Sequence, residues 1–321
     1  MKLDLSLLKR LLVIDHPSKQ EWPMLSFIIN ECYKIGNLEF EMDSYNNIFI
    51  TKTTNEIPQY YPLVVAHTDC VLAHKNKEVR IKDGNLYGRD SLTGKRIALG
   101  MDDAVGVCMA IQLLRQIPDL KVLFTTEEEV GFLGAAEAAE NIEFFFNVSY
   151  MIQADRRGNF DLITHTNGIY SANEQWLDKI TPVMLKYQYK EEYGIGTDVG
   201  ELAGELGISG VNISCGYNKE HTDKEWMSLA GAQNCLDFME EIIKTVPLNK
   251  QYTIDVQKAW YNYYGNYSSK DKTYDMRDYV AKEYPREYDD YYEDDVHYEL
   301  PCDHCRSYDC MNCTKFDNYS G

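Results

Sequence analysis

The sequence predicts an α/β protein, a three-layer sandwich in which a mixed, largely parallel central sheet is covered by helices on both faces. Three observations point there. Amphipathic helical stretches alternate with short runs rich in Val, Ile, Phe and Tyr; each run has the length of a strand and ends in polar residues. The chain has 321 residues and 44% hydrophobic content, enough to bury a core.

The elements follow in order. Leucines recur at helical spacing in MKLDLSLLKRLLVIDHPSK, giving a first helix over Leu3 to Val13. Charges interrupt that run and no small-residue cleavage site follows, so it does not read as an export signal. Trp22 to Ile35 is a second helix, NNIFITK and PLVVAHTD are strands, and Val105 to Leu114 is a third helix. KVLFTTEE, SYMIQADR and GVNISCG are further strands, and Ser228 to Lys244 (SLAGAQNCLDFMEEIIK) is a closing helix. After Val246 the composition changes. From Gln251 onward come 14 of the 25 tyrosines, the acidic cluster YDDYYEDD and few aliphatic residues. Two units are therefore expected: a body over residues 1–248 and an acidic, tyrosine-rich tail over 249–321 that cannot supply much of a core.

The net charge of −19, from 51 acidic and 32 basic residues, argues against nucleic acid or an anionic membrane as partner. No stretch approaches the roughly 20 apolar residues of a membrane span, so a soluble, cytoplasmic protein is expected. Cys32, Cys70, Cys108, Cys215 and Cys235, scattered through the body, read as buried free thiols of a reducing compartment.

Chemistry gathers at the strand ends, where ligands collect in such sheets. His67 follows the apolar run PLVVA, and Asp69, two residues on, is placed to reach its other ring nitrogen. Alone, the pair reads more readily as a satisfied hydrogen-bonding histidine and its neighbour than as a metal site. Asp102 and Asp103 open the apolar helix of LGMDDAVGVCMAIQLL. One carboxylate suffices to cap a helix; two together repel unless a cation or partner compensates. FTTEEEVG sets Glu127, Glu128 and Glu129 after a buried strand, where divalent cations most readily relieve their repulsion. Asp155 ends SYMIQA, and His221 lies in GYNKEHTDKEW after GVNIS. Two histidines and several carboxylates at the strand ends of one sheet suit a pair of zinc or similar ions.

VVAHTD, GMDDAVG, FTTEEEVG, QADRRG and GYNKEHT, in this order and spacing, resemble the di-zinc exopeptidase superfamily, which includes peptidase T, leucyl-type aminopeptidases, glutamate-releasing carboxypeptidases and acyl-amino-acid hydrolases. The resemblance covers about residues 1–245. It implies that His67 and His221 each bind one metal, that Asp102 bridges the two, that Glu129 completes the first site and Asp155 the second, and that Glu128 is the catalytic base, with Asp69 orienting His67. Two Zn²⁺ ions, or Co²⁺ or Mn²⁺, would activate a water for amide hydrolysis of small peptides, with a deacylase of N-acyl amino acids as the alternative. A binding protein that keeps the fold without catalysis is a further reading, disfavoured because all five ligands and Glu128 are present. Many relatives insert a lid or dimerisation domain between the last two ligands; Asp155 and His221 are 66 positions apart, and His67 and Asp102 are 35 apart, so no inserted domain is expected at either place. Oligomeric state and the terminus attacked stay open. Thr197 and Asp198 in GIGTDVGEL either line the pocket or cap the next helix.

In the tail, PCDHCRSYDCMNC sets Cys302, Cys305, Cys310 and Cys313 as two C-x2-C pairs with four residues between them. Four thiolates can surround one structural Zn²⁺, with an iron–sulfur cluster as the alternative.

Overall fold

Side chains on successive strand residues point to opposite faces of a sheet, and here both faces are apolar. In a computed structural model of the chain, which describes residues 1–54 and 59–256, this produces the three expected layers. The chain opens with α1 (Leu5–Leu12) and α2 (Trp22–Ile35), then β1 (Leu38–Met42), β2 (Ile48–Lys52), β3 (Tyr61–His67), β4 (Lys77–Lys82), β5 (Asn85–Asp90) and β6 (Arg96–Ile97). There follow α3 (Met101–Gln116), β7 (Leu120–Thr125), α4 (Leu133–Ala139), α5 (Ile142–Phe145), β8 (Val148–Arg156), β9 (Asp161–Thr166) and β10 (Ile169–Tyr170). The last elements are α6 (Glu174–Tyr187), β11 (Lys190–Tyr193), α7 (Asp198–Leu206), β12 (Gly210–Ser214), β13 (Tyr217–Asn218), β14 (Trp226–Ser228) and α8 (Leu229–Thr245).

The main sheet runs β1-β2-β7-β3-β8-β12-β9-β10, with β11 alongside β9. Its centre, β7-β3-β8-β12, is parallel, and β1, β2 and β9 flank it in antiparallel pairing. Phe49, Leu63, Val65 and Leu123 pack on one face with Ala135 and Ala138 of α4 and Leu202 and Ala203 of α7. Ile50, Val64, Ala66, Val122 and Phe124 pack on the other, against α1, α2, α3, α6 and α8. Helix starts are fixed locally: the Asp4 carboxylate accepts the Ser6 and Leu7 N–H groups, and Ser228 accepts that of Gly231. The five body cysteines are buried and free.

The interval from His67 to Asp102 holds no domain, yet it is not simply loop. It supplies β4, β5 and β6 to a second sheet, β13-β14-β5-β4 with β6 on β5, antiparallel throughout. KEVRIK and NLYGRD escaped the sequence reading because both are half exposed and largely polar, without an apolar run. Between Asp155 and His221 the chain builds β9 to β13, α6 and α7, and no lid.

The body continues past 248. Tyr252 is 1% exposed and its ring lies against Tyr150; its N–H donates to Ser149 O (2.8 Å) and its carbonyl accepts from Ser209 N (2.7 Å). Residues beyond the expected boundary at 248 therefore pack on the body, anchored by Tyr252, by Ile254 against the α4/α7 side of the core and by the Ile254 N–H to Gly207 O (2.9 Å). Cys302, Cys305, Cys310 and Cys313 and the rest of the tail from residue 257 lie outside the described residues. Among the described residues no helix is long and apolar enough to cross a membrane.

Candidate active site

β3, β7 and β8 are parallel neighbours, so their carboxyl ends open on one edge of the sheet. His67 pairs with Thr125, and Val65 pairs with Gln153, which puts Asp155 level with His67. The His67 ring, 1% exposed, has Nε2 2.9 Å from Asp102 Oδ1 and 3.6 Å from Asp155 Oδ1. His221 comes from the loop between β13 and β14. Its Nε2 is 3.2 Å from Asp102 Oδ2 and 2.8 Å from Glu129 Oε1. Asp102 therefore turns one oxygen to each imidazole.

The adjacent aspartates divide two roles. Asp103 is the cap, accepting Gly106 N–H at 2.9 Å and His67 N–H at 3.3 Å. Asp102, at φ −77° and ψ 105°, leaves the helical path and is free to face the histidines. A Cβ on Gly106 would lie 2.3 Å from Asp103 Oδ1, so this cap requires glycine three residues on.

The glutamate triplet is carried by a tight turn. Glu127 and Phe132 are left-handed (φ 54° and 58°) around a 3-10 turn over Glu128–Val130, with Gly131 at φ 114°. Such backbone is costly for non-glycine residues and persists where surroundings fix it. Here the Asp69 carboxylate accepts the N–H groups of Glu128 (3.0 Å) and Glu129 (3.2 Å) and the Ser18 hydroxyl (2.6 Å). Fully buried Asn47 accepts Thr126 N–H (3.0 Å) and donates to Gly134 O (2.9 Å), clamping both ends of the turn. Asp69 meets His67 Nδ1 twice, with its backbone oxygen at 3.1 Å and its carboxylate at 3.4 Å, and the carboxylate also holds the glutamate turn.

Burial and crowding set the charges. Burial, then the nearby Asp102, pushes Asp155 up to about 6 and Glu129 up to about 7. Glu128 is raised well above the carboxylate range by burial and by Asp155, Asp198 and Glu129, against the pull of His67. Burial would raise Asp102 too, but hydrogen bonds from His221 and His67 hold it below its ordinary value. For His221, burial acts downward and is outweighed by Asp102 and Glu129, which take it to about 11.

Three overlapping triplets have ligand atoms within 4.8 Å of one another: His67/Asp102/Asp155, His67/Glu128/Glu129 and Asp102/Glu129/His221. Nitrogen and oxygen donors this close, with carboxylates in excess of imidazoles, could hold divalent cations. The pairing differs from the one the resemblance implied. Asp155 sits with His67 because their strands are neighbours, and Glu129 reaches His221 because the left-handed turn carries it away from β8.

The sequence assigns no role to Gln153, Tyr217 or Glu225 and leaves Thr197 and Asp198 open between lining the pocket and capping the next helix. Asp155 is held by Gln153 Nε2 (3.2 Å), Thr197 Oγ1 (3.0 Å) and Tyr217 OH (3.0 Å). Asp198 is fully buried; one oxygen accepts the Thr125 hydroxyl at 2.5 Å and the other has no partner. Glu225, four residues after His221, accepts three backbone N–H groups next to Asp102. QADR, GTD and EHTDKEW contain these residues, but only the folded register shows what they touch. Beside Asp102 and His221 lies a small recess walled by Val71, Leu72, Ala98 and Gly100, with room for about one water.

The fold recurs among solved structures. Aminopeptidase PepT from Bacillus cereus ATCC 10987 superposes with a TM-score of 0.63 at 15% identity, covering 74% of this chain and 96% of that one. A tripeptidase from Staphylococcus aureus gives 0.61 at 16% identity (75% and 96%), and an aminopeptidase from the archaeon Desulfurococcus kamchatkensis 0.58 at 16% (76% and 95%). Identities this low carry the fold alone. No curated protein matches the sequence. The family model for peptidase family M20/M25/M40 matches residues 63–245, more than half of the chain and the whole span from β3 to α8 that carries the cluster. With that match the acidic strand ends find their context, and the chain belongs to peptidase family M20/M25/M40, a family of metal-dependent peptidases.

Proposed function

We propose that the protein is a two-metal exopeptidase, an aminopeptidase of small peptides, in which His67, Asp102 and Asp155 hold one ion, Asp102, Glu129 and His221 hold the other, and Glu128 is the general base. The observation that carries the reading is Asp102, with Oδ1 at 2.9 Å from His67 and Oδ2 at 3.2 Å from His221. A carboxylate so placed can bridge two cations. The donor chemistry suits Zn²⁺, with Co²⁺ or Mn²⁺ as substitutes. Buried carboxylates outnumber imidazoles around the site, and cations supply the missing positive charge. The likeness to an aminopeptidase and a tripeptidase favours a peptide substrate.

When bound, such ions make water acidic and polarise a carbonyl. The chain's own residues do the rest. Glu128, next to the ligand Glu129, accepts the proton of the attacking water and returns it to the departing amine. Asp69 keeps Glu128 in place through its backbone, and Gln153, Thr197 and Tyr217 keep Asp155 from rotating. In the tail, the spacing of Cys302, Cys305, Cys310 and Cys313 supports a structural Zn²⁺.

Digestion of unprotected tripeptides and N-acyl amino acids, read by mass spectrometry alongside elemental analysis, tests the proposal. Release of N-terminal residues and its loss on chelation are expected; hydrolysis of the acyl compounds alone favours the deacylase. Glu128→Gln keeps its metal and loses about 10²- to 10⁴-fold in turnover, the usual contribution of a positioned base, whereas Glu127→Gln is close to wild type. Full activity in verified metal-free protein would sink the mechanism.

A further inference from the structure

His67 and Asp155 stand on neighbouring strands whose ladder fixes their separation. Asp102 and His221 have no such support. Asp102 follows the turn at Gly100 (φ 74°), and His221, itself left-handed (φ 60°), sits in a stretch exposed from residue 221 to 224. That exposed stretch ends at a buried carboxylate. Glu225 is 1% exposed; its Oε2 accepts the N–H groups of Leu99 (2.7 Å) and Gly100 (3.1 Å), and its Oε1 accepts that of Met101 (2.9 Å).

The same two segments meet at further points. Asp223 Oδ1 accepts Ala98 N–H at 3.2 Å, and Arg96 Nη2 donates to the carbonyl oxygens of Lys224 (3.2 Å) and Glu225 (3.3 Å). The backbone immediately before Asp102 is thereby stitched to the backbone immediately after His221. Glu225 is the centre of the seam, because one anionic side chain gathers three consecutive N–H groups in a buried place.

We infer that Glu225 is a positioning residue that holds His221 at its distance from Asp102, and so governs chiefly the Asp102/Glu129/His221 half of the cluster, because Asp102 is also tied to His67 and the other half keeps its two strand-borne ligands, His67 and Asp155. The inference rests on the two-metal reading. A carboxylate is required because only acceptors can face converging N–H groups. Glutamine in its place sets an NH₂ against at least one of them and pushes the two segments apart.

Titration of the metal-free full chain with Zn²⁺, followed by calorimetry, tests this. Wild type takes up two ions at the cluster, counted against the Cys302→Ser/Cys305→Ser background so that tail binding is not included. In Glu225→Gln the first ion binds as in wild type and the second is weakened about 10- to 100-fold, the loss usual when an outer support of a ligand is removed. Glu225→Asp keeps both acceptor oxygens and gives an intermediate second affinity; it also serves if Glu225→Gln does not fold. A purely structural role would lower the unfolding midpoint of the metal-free protein and weaken both ions alike, and that result overturns the inference. So do two unchanged affinities in Glu225→Gln. Uptake of fewer than two ions by the wild-type cluster overturns the two-metal reading itself, and this inference with it.

Discussion

Asp102 and Asp103 are adjacent in sequence and alike in chemistry, yet only the first faces the imidazoles. What separates them is Gly106, whose missing side chain leaves room for the Asp103 carboxylate to turn inward. Gly106→Ala places a methyl group 2.3 Å from Asp103 Oδ1 in a fully buried site. It should destabilise the fold by about 1–3 kcal/mol, as overpacking of a closed interior does. Because Asp103 also receives the His67 N–H, metal affinity should fall with it. Urea unfolding and a metal titration check both; wild-type stability would show that the cap tolerates displacement. At this scale the sequence was most informative about residue types at strand ends: His67, Asp102, Glu128, Glu129, Asp155 and His221 all converge. It was silent on Gln153, Tyr217 and Glu225, whose importance lies in which hydrogen bonds they make, and it misassigned which carboxylate accompanies which histidine. Both depend on neighbouring strands and on turn backbone that no spacing along the chain records.

Four helices with an apolar stripe were legible, α2 beginning and ending where its pattern does and α1, α3 and α8 differing from the reading only at their ends, whereas α6 and α7 were not read. β4 and β5 were not, because alternating charge hides a half-exposed strand. Helix docking adds a contact that pattern alone does not reveal. The Glu31 carboxylate of α2, 2% exposed, accepts from Arg10 of α1 (2.8 Å), Arg115 of α3 (2.7 Å) and Lys34 (2.5 Å). The Arg10 hydrogen bond, helped by Lys34 and opposed by burial, holds it down at about 2. A carboxyl group depressed in the folded state stabilises it fully above the unfolded value, roughly 4.3, and loses that contribution as pH falls toward 2. The stability difference between wild type and Glu31→Gln, measured by urea unfolding, should therefore be greatest above pH 5 and shrink steadily below pH 4. A difference constant over that range would mean that the three cations do not bind the ionised form preferentially.

For the molecule as a whole, composition sets the expected body at residues 1–248, and the described residues pack on it as far as 256. The rule that polar, tyrosine-rich sequence builds no core fails at Tyr252, which is packed near Tyr150 and bridged by backbone to Ser149 and Ser209. A chain ending at Val256 should unfold at the temperature of the full chain. One ending at Leu248 should lose about 3–5 kcal/mol, the loss expected for a large buried ring. Thermal unfolding of the two truncations separates the cases, and zinc content of the longer one against the full chain tests the four-cysteine proposal. The whole molecule also gives the two imidazoles different relations to water: His67 is 1% exposed and His221 43%. In terms of traffic, the pair forms an inner berth and an outer one, and Asp102, with an oxygen toward each, is the threshold between them. A reagent in solution meets the outer imidazole directly, whereas the inner one is closed off from water.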